Sequence, residues 1–248
     1  MEEERREMTN DTPLNQNTGM PQPSVLSSQP PTLIAAVFDV DRTLVPVTTT
    51  ERIFIRYLFR KRVLGPLAVA RTALFIARNL GKTSPFETIR RQRAYLAGQP
   101  YERMQKLALR CFQSDIKPRL SQAGLRAIKE HKDQGHSIVL LSGSLDFLLA
   151  SLKEYVGADH LIAAEMEVVG GKLTGGIRGD FPYGSYKATL MQHFAEHHGL
   201  DFSQSYAYAD HHTDHEVLRL FGNPVVINPR PRMQEIADRE GWTVKLFG

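Results

Sequence analysis

Residues Leu33 to Leu44 read LIAAVFDVDRTL, and this stretch decides the fold. Its apolar half, up to Phe38, predicts a buried strand, and Asp39 and Asp41 leave the carboxyl end, where open α/β sheets bind their ligands. Two like charges this close repel unless a cation or a shared proton lies between them. The spacing therefore indicates either a hard metal ion such as Mg²⁺ beside a nucleophilic and a proton-transferring aspartate, or an acidic turn without chemistry.

Strands and helices alternate along the rest of the chain, which predicts a mainly parallel sheet with crossover helices. The expected fold class is α/β, with a Rossmann-like three-layer core. A Gly-Gly pair within Met166–Gly175 is a hairpin signal. Strands are expected at Leu33–Phe38, Ser137–Leu141, Leu161–Ala164, Ser205–Tyr208, Val225–Ile227 and Thr243–Phe247. Helices are expected at Ser121–Gln134, Asp146–Tyr155 and Tyr186–His198, from about Thr213, and at Met233–Glu240.

Composition divides the chain into three parts. Residues 1–32 are polar and rich in Pro, Gln, Ser and Thr, with too little apolar material to offset the entropy of ordering, and predict a disordered tail. From about residue 52 to residue 110 the apolar spacing becomes helical and interrupts the α/β alternation. We therefore assign 33–50 and 116–248 to the α/β core and 51–115 to an inserted helical cap.

Composition also limits the class of protein. The chain has 248 residues, of which 42% are hydrophobic and 23% charged, as in soluble globular proteins. Cys111 is the one cysteine, which excludes a disulfide framework or a multi-cysteine zinc site and favours a reducing compartment. The charged start Glu2 to Arg6 lacks the apolar segment of a secretory signal. A cytoplasmic location is therefore expected.

Polar groups follow three further elements of the expected sheet. Ser142 and Gly143 follow a strand and suit a phosphate oxygen, although a capped helix start is the alternative. Lys187 opens a helix, where a cation is unfavourable without an anionic neighbour; the alternative is a solvated lysine. Asp210 and Asp214 form a second acidic pair after a strand, although Asp214 alone fits an ordinary helix start. Taken jointly, these spacings favour a phosphate site.

These motifs together resemble the haloacid dehalogenase superfamily of phosphohydrolases, in its phosphoserine-phosphatase-like branch, subfamily IB. The resemblance covers about residues 33–247. It implies an α/β core with a helical cap after the first strand, and the segment Arg93–Gly98 is similar to the cap segment that carries a substrate-contacting arginine. The four motifs, in chain order, are Asp39-Val40-Asp41-Arg42-Thr43, Ser142, Lys187, and Asp210 with Asp214.

The resemblance implies a role for each site residue. Asp39 would attack phosphorus and form an aspartyl-phosphate, and Asp41 would be the general acid and base. Ser142, Gly143 and Lys187 would hold phosphoryl oxygens.

The implied metal is Mg²⁺, bound by Asp39, by the backbone carbonyl of Asp41 and by Asp210. Asp214 would orient Lys187 or a metal-bound water. Phe86 and Arg93 match the cap residues that bind substrate.

Several residues depart from the family pattern. Arg42 stands where many relatives have a small residue, and Glu51 comes later than the glutamate that pairs with the substrate amino group in phosphoserine phosphatases. The fourth motif contains His211 and His212, but hard oxygen ligands dominate this loop and disfavour a zinc site. Both aspartates of the first motif, Asp39 and Asp41, are retained. Their presence favours an active enzyme over a catalytically weak binding module.

The predicted cap is strongly basic. Residues 52–93 contain 11 lysines and arginines against one acidic residue, Glu87, although the whole chain carries a net charge of only +4. One interpretation is a surface that binds anionic lipid headgroups at the inner membrane face. The favoured alternative is the solvated side of packed helices. No recognised nucleic-acid-binding module accompanies the charge.

The sequence therefore predicts a Mg²⁺-dependent phosphomonoester hydrolase acting on a small, phosphoserine-like metabolite. A phospholipid-pathway phosphatase at the membrane surface and a weakly catalytic binding module on the same fold are the alternatives.

Overall fold

The computed structural model describes residues 32–66, 70, 72–74, 77 and 92–247. The predicted disordered tail lies outside these residues except for Thr32, and Phe86 lies outside them as well. The boundaries proposed between tail, cap and core remain predictions.

A parallel sheet forms the centre of the described residues. The strands are β1 (Ala35–Phe38), β2 (Ser137–Leu145), β3 (His160–Ala164), β4 (Met166–Val169), β5 (Lys172–Ile177), β6 (Tyr206–Ala209), β7 (Asn223–Ile227) and β8 (Thr243–Lys245). Six of them form the sheet in the order β3-β2-β1-β6-β7-β8, and every neighbouring pair is parallel. The other two, β4 and β5, form a separate antiparallel hairpin.

Helices cover both faces of the sheet. The α-helices are α1 (Thr50–Arg60), α2 (Tyr101–Cys111), α3 (Gln122–Asp133), α4 (Asp146–Val156), α5 (Tyr186–His198), α6 (His215–Leu218) and α7 (Pro231–Glu240). Short 3₁₀ turns lie at Ala94–Leu96, Lys117–Arg119 and His212–Asp214, and a π-helical segment at Phe112–Ile116. Within the described residues, no helix combines the length and apolar character needed to span a membrane.

Strand β1 shows why the core has three layers. All four of its residues are buried. Successive side chains of a strand point to opposite faces, and here Ala36 and Phe38 join one hydrophobic cluster while Ala35 and Val37 join the other. A strand buried on both faces needs a continuous apolar run. The predicted α/β three-layer fold class is confirmed.

Two strands have a carboxyl end that lies two or more residues from the one expected from the sequence. β2 continues to Leu145 instead of ending at Leu141, because Leu145 pairs with Ala164 of β3 after a shift in register. β8 ends at Lys245, two residues early, because the Phe247 N–H donates to the side chain of Asn228 rather than to a strand.

The β4–β5 hairpin is joined to the segment that leads into α2. The N–H of Arg93 donates to the Gly175 carbonyl at 2.6 Å, and that of Tyr101 donates to Gly171 at 3.0 Å. Two isolated antiparallel bridges connect the same stretches of chain. The hairpin therefore fixes the position of residues 92–101, the segment that precedes α2.

Candidate active site

The carboxyl end of the sheet carries an open cavity of about 270 Å³. Asp39 and Asp41 follow β1, and Asp210 follows the neighbouring strand β6. Parallel strands deliver these groups to one edge, as expected for an open α/β sheet. Residues that line the cavity include Asp39, Asp41, Arg42, Glu51, Arg93, Ser142, Gly143, Lys187, Asp210, His211 and Asp214.

Lys187 joins two of the buried carboxylates. Its side chain is 4% exposed, and its Nζ lies 2.6 Å from Asp39 Oδ1 and 3.1 Å from Asp214 Oδ1. Burial opposes the charge on this ammonium group, but Asp214 and Asp39 together raise the pKa of Lys187 above its ordinary value. The lysine at the start of α5 is therefore charged and held against the nucleophile candidate.

Three carboxylates converge beside this lysine. One oxygen each from Asp39, Asp210 and Asp214 lies within 4.8 Å of the others. Burial raises the pKa of Asp39 to about 6, with Asp214 adding to the rise and Lys187 opposing it. Burial, Asp39 and Asp214 raise the pKa of Asp210 to about 7. Excess negative charge from oxygen donors in one buried place suits a hard divalent cation.

The carboxylate of Asp41 is held apart from this cluster by hydrogen bonds. Its Oδ1 accepts from the Thr50 N–H at 2.7 Å and from the Thr50 hydroxyl at 2.8 Å, and its Oδ2 accepts from Ser144 Oγ at 2.6 Å. Burial raises the pKa of Asp41, although these bonds oppose the rise. A carboxyl group so fixed can transfer a proton from a defined position.

Ser142 and Gly143 also line the cavity. Ser142 is buried, and its hydroxyl accepts from the Ser144 N–H at 3.2 Å. A side chain at Gly143 would lie 3.2 Å from the Pro182 carbonyl, so the chain passes close there. Backbone and hydroxyl groups at this edge can contact phosphate oxygens.

The cap side of the cavity carries an ion pair. Arg93 Nε lies 2.5 Å from Glu51 Oε1, which also accepts from the Tyr95 hydroxyl at 2.7 Å. The Arg93 guanidinium lies 5.8 Å from the centre of the Phe181 ring. Glu51 therefore reaches the cavity despite its late position in the sequence.

The structure brings most of the predicted site residues together at one cavity. Among these predicted site residues, Phe86 is the one that lies outside the described ranges. The group of converging carboxylates contains Asp214 but not the side chain of Asp41. The metal ligand predicted from Asp41 was its backbone carbonyl, and that ligand remains a prediction.

Sequence reasoning gave no role to Thr50, Ser144 or Tyr95. The cap of α1, where the Thr49 side chain accepts from the Arg52 N–H, could have located Thr50 at a helix start. Its bond to Ser144, 94 residues away, has no local signal.

Comparison with known families agrees with this geometry. The model of the haloacid dehalogenase-like hydrolase family matches residues 36–219. A curated relative, the inhibition of morphological differentiation protein of Streptomyces azureus, is 29% identical over 86% of this chain and 78% of its own length. The phosphoserine phosphatase SerB1 of Mycobacterium tuberculosis is 28% identical over 86% of this chain and 70% of its own. The predicted resemblance is thereby confirmed.

Solved structures share the fold. A protein of unknown function from Bordetella pertussis Tohama I superposes with a TM-score of 0.76 at 26% identity, over 88% of this chain and all of that one. A substrate-bound phosphoserine phosphatase superposes with a TM-score of 0.60 at 22% identity, over 86% of this chain and 92% of the other. The second match supports the fold alone.

Proposed function

The chain belongs to the haloacid dehalogenase-like hydrolases, and from this premise we propose that it is a Mg²⁺-dependent phosphomonoester hydrolase that uses an aspartyl-phosphate intermediate. The observation that carries the proposal is the buried contact of 2.6 Å between Asp39 and Lys187 at the carboxyl end of β1. It pairs a carboxylate nucleophile with a fixed cation for phosphoryl oxygens.

Asp39 attacks the phosphorus in line, and the phosphoryl group passes from the substrate oxygen to its carboxylate. Asp41 gives a proton to the leaving oxygen and then removes one from the water that cleaves the intermediate. Thr50 and Ser144 hold this carboxyl in place through both steps. Ser142 and Lys187 bind the phosphoryl oxygens.

The converging carboxylates fit Mg²⁺ because they supply hard oxygen donors and an excess of negative charge. Asp39 and Asp210, together with the backbone carbonyl of Asp41, would hold the ion, and Asp214 would support Lys187. The bound cation neutralises charge between the phosphate and the carboxylates.

The proposed substrate is a small phosphorylated metabolite similar to phosphoserine. Glu51 and Arg93 line the same cavity as Asp39 and present one charge of each sign. A substrate that carries both an amino and a carboxylate group can replace this ion pair, because its amino group can bind Glu51 and its carboxylate can bind Arg93. The name of the Mycobacterium tuberculosis relative is consistent with such a substrate.

The experiment that tests the proposal is Asp39→Asn. The variant should fold, because an amide replaces a carboxyl group of the same shape, but it should lose phosphatase turnover with Mg²⁺. Fluoroberyllate should bind the wild-type Asp39 as a mimic of the acyl phosphate. The matched control is Asp133→Asn, which changes an exposed carboxylate on α3 and should retain full turnover. Substantial turnover by folded Asp39→Asn protein would contradict the proposed nucleophile.

The alternative of a lipid phosphatase at the membrane surface rests on the basic cap. Among the described cap residues, Arg60 already pairs with Asp115 at 2.7 Å. Co-sedimentation with anionic vesicles at low salt tests this alternative, and a wild-type protein that does not bind them removes it. A protein that folds but hydrolyses no phosphomonoester would instead favour the weakly catalytic binding module.

A further inference from the structure

Arg42 has a backbone conformation that its residue type disfavours. Its φ is 71°, in the left-handed region that glycine adopts readily and other L residues adopt at a cost. The loop holds it there, since its N–H donates to the Val45 carbonyl at 2.9 Å. Residues kept in such conformations cluster at ligand sites. The presence of an arginine rather than a glycine at this position therefore indicates a role for its side chain.

The Arg42 side chain lines the cavity on the side of Asp210. Its positive charge lowers the pKa of Asp210, against the stronger effect of burial, so the guanidinium lies near that carboxylate. The other two cavity cations are engaged, Lys187 by carboxylates and Arg93 by Glu51. Arg42 makes no hydrogen bond or ion pair through its side chain with any residue in the described ranges. Its guanidinium thus has donors available to an incoming group.

Further basic side chains follow the next strands outward from Arg42. His211 follows β6 and lines the cavity, and its ring centre lies 4.2 Å from that of His212. Burial, then the charges of Arg232 and Arg230, lower the pKa of His212, so both arginines lie near that ring.

Arg230 and Arg232 lie at the start of α7, after β7, and both are exposed. In the part of the chain that the structure describes, neither forms an ion pair. Since β1, β6 and β7 are adjacent, these groups form a row along one edge of the sheet, which we call the arginine track: Arg42, His211, His212, Arg230 and Arg232.

We propose that the substrate carries a second phosphate-like anion, bound by Arg42 while Lys187 and Ser142 hold the phosphoryl group that reacts. This inference rests on the proposed phosphomonoester hydrolysis and assigns the substrate a second phosphate-like group, which phosphoserine itself lacks. A guanidinium fork matches two oxygens of a phosphate, and it stays charged at any physiological pH. The two exposed arginines of the track, Arg230 and Arg232, extend this positive field to solvent and attract the polyanion to the cavity.

Calorimetry with sugar phosphates tests the inference without turnover. The ligands are fructose 1,6-bisphosphate and its two monophosphates, fructose 1-phosphate and fructose 6-phosphate, each with Mg²⁺. The proteins carry Asp39→Asn, so that no ligand is consumed, with and without Arg42→Gln, Arg42→Lys or Arg42→Gly. The matched control is Arg56→Gln, which removes an equal charge from the exposed side of α1.

Arg42→Gln should lower affinity for the bisphosphate by about 10- to 100-fold more than for either monophosphate, the loss expected for one charge-assisted contact. Arg42→Gly should show the same selective loss with an unfolding temperature at or above that of its parent, since glycine accepts the backbone conformation. Arg42→Lys should cause a loss of bisphosphate affinity smaller than that of Arg42→Gln. Arg56→Gln should change the affinity for neither the bisphosphate nor the monophosphates.

Equal losses for the bisphosphate and the monophosphates would overturn the inference, as would a parent protein that binds the bisphosphate no more tightly than both monophosphates. A change in Mg²⁺ affinity with an unaltered selectivity would also overturn it, because Arg42 would then act on the metal site alone. Turnover of phosphoserine and para-nitrophenyl phosphate by the wild-type protein tests the proposed function separately. A wild-type protein that binds the bisphosphate selectively but hydrolyses no phosphomonoester would refute that function, and with it the claim that the phosphate at Lys187 and Ser142 reacts.

Discussion

Asp210→Asn is expected to stabilise the metal-free protein at pH 8, although it removes a proposed Mg²⁺ ligand. Asp210 is 4% exposed. Its carboxylate forms no hydrogen bond or ion pair with a side chain in the described residues, and it faces the carboxylates of Asp39 and Asp214. Burying a charge without a partner is unfavourable. An amide keeps the shape and removes the charge.

The size of the effect follows from the pKa of Asp210, which burial, Asp39 and Asp214 raise from 3.8 to about 7. A difference of one in pKa corresponds to about 1.36 kcal/mol, so this separation corresponds to about 4 kcal/mol. Below pH 4 the carboxyl is protonated in both the folded and the unfolded chain, and the substitution changes little. Between pH 4 and pH 7 the folded state binds more protons, so the wild-type protein loses stability as pH rises. Above pH 7 the carboxyl is ionised in both states, and the wild-type protein stays less stable than the variant by the full amount of about 4 kcal/mol.

The assay is urea unfolding in EDTA at pH values from 4 to 8, compared among the wild-type protein, Asp210→Asn and the control Asp133→Asn. We expect the stability of Asp210→Asn to exceed that of wild type by up to about 4 kcal/mol at pH 8 and to match it near pH 4. The control should stay within about 0.5 kcal/mol of wild type throughout. Mg²⁺ should stabilise wild type more than the variant. A variant no more stable than wild type at pH 8, or one with the same advantage at pH 4, would refute the reasoning.

Three other substitutions test separate parts of the structure. Lys187→Met should lower the free energy of unfolding at pH 7 by about 3–5 kcal/mol, because it leaves buried carboxylates without their partner; a urea midpoint equal to wild type would contradict this. Arg93→Ala should raise KM for phosphoserine by about 10- to 100-fold, the loss expected for one charge-assisted contact, with little effect on para-nitrophenyl phosphate; equal changes in steady-state kinetics for both substrates would argue against a recognition role. Gly222→Ala should lower the unfolding temperature without altering kcat, because its Cβ would lie 1.9 Å from the Ser203 carbonyl oxygen; overpacking of this kind costs about 1–3 kcal/mol, and an unchanged melting curve would exclude the clash.

Much of the fold could be predicted because its signals are local. A continuous apolar run ending at Phe38 is typical of a strand buried on both faces, and β1 has that environment. The glycines at 170 and 171 predicted the turn between β4 and β5. The end of β2 could not be predicted in this way, because Ser142 to Ser144 have loop composition and only pairing with β3 extends the strand.

The site was predictable as far as its residues follow strands. Asp39 and Asp210 could be brought together because adjacent parallel strands end at the same edge. The bonds that position Asp41 were not predictable, since Thr50 lies on the first helix and Ser144 lies about a hundred residues away on β2. The late glutamate, Glu51, reaches the cavity because α1 begins at Thr50, whose N–H donates to Asp41. Spacing along the chain does not reveal this contact.

The central place of β1 in the sheet has a consequence for biosynthesis. This strand is completed early, yet its partners on either side arrive much later: Ala35 lies beside Ser137 on one side, and its N–H donates to Ser205, 170 residues further on. At a translation rate of about 5–20 residues per second, the second partner emerges roughly 10–30 s after the first strand. During that interval this apolar strand has an unpaired edge, which favours association with other chains. We therefore expect the newborn polypeptide to depend on holding chaperones until β6 has left the ribosome.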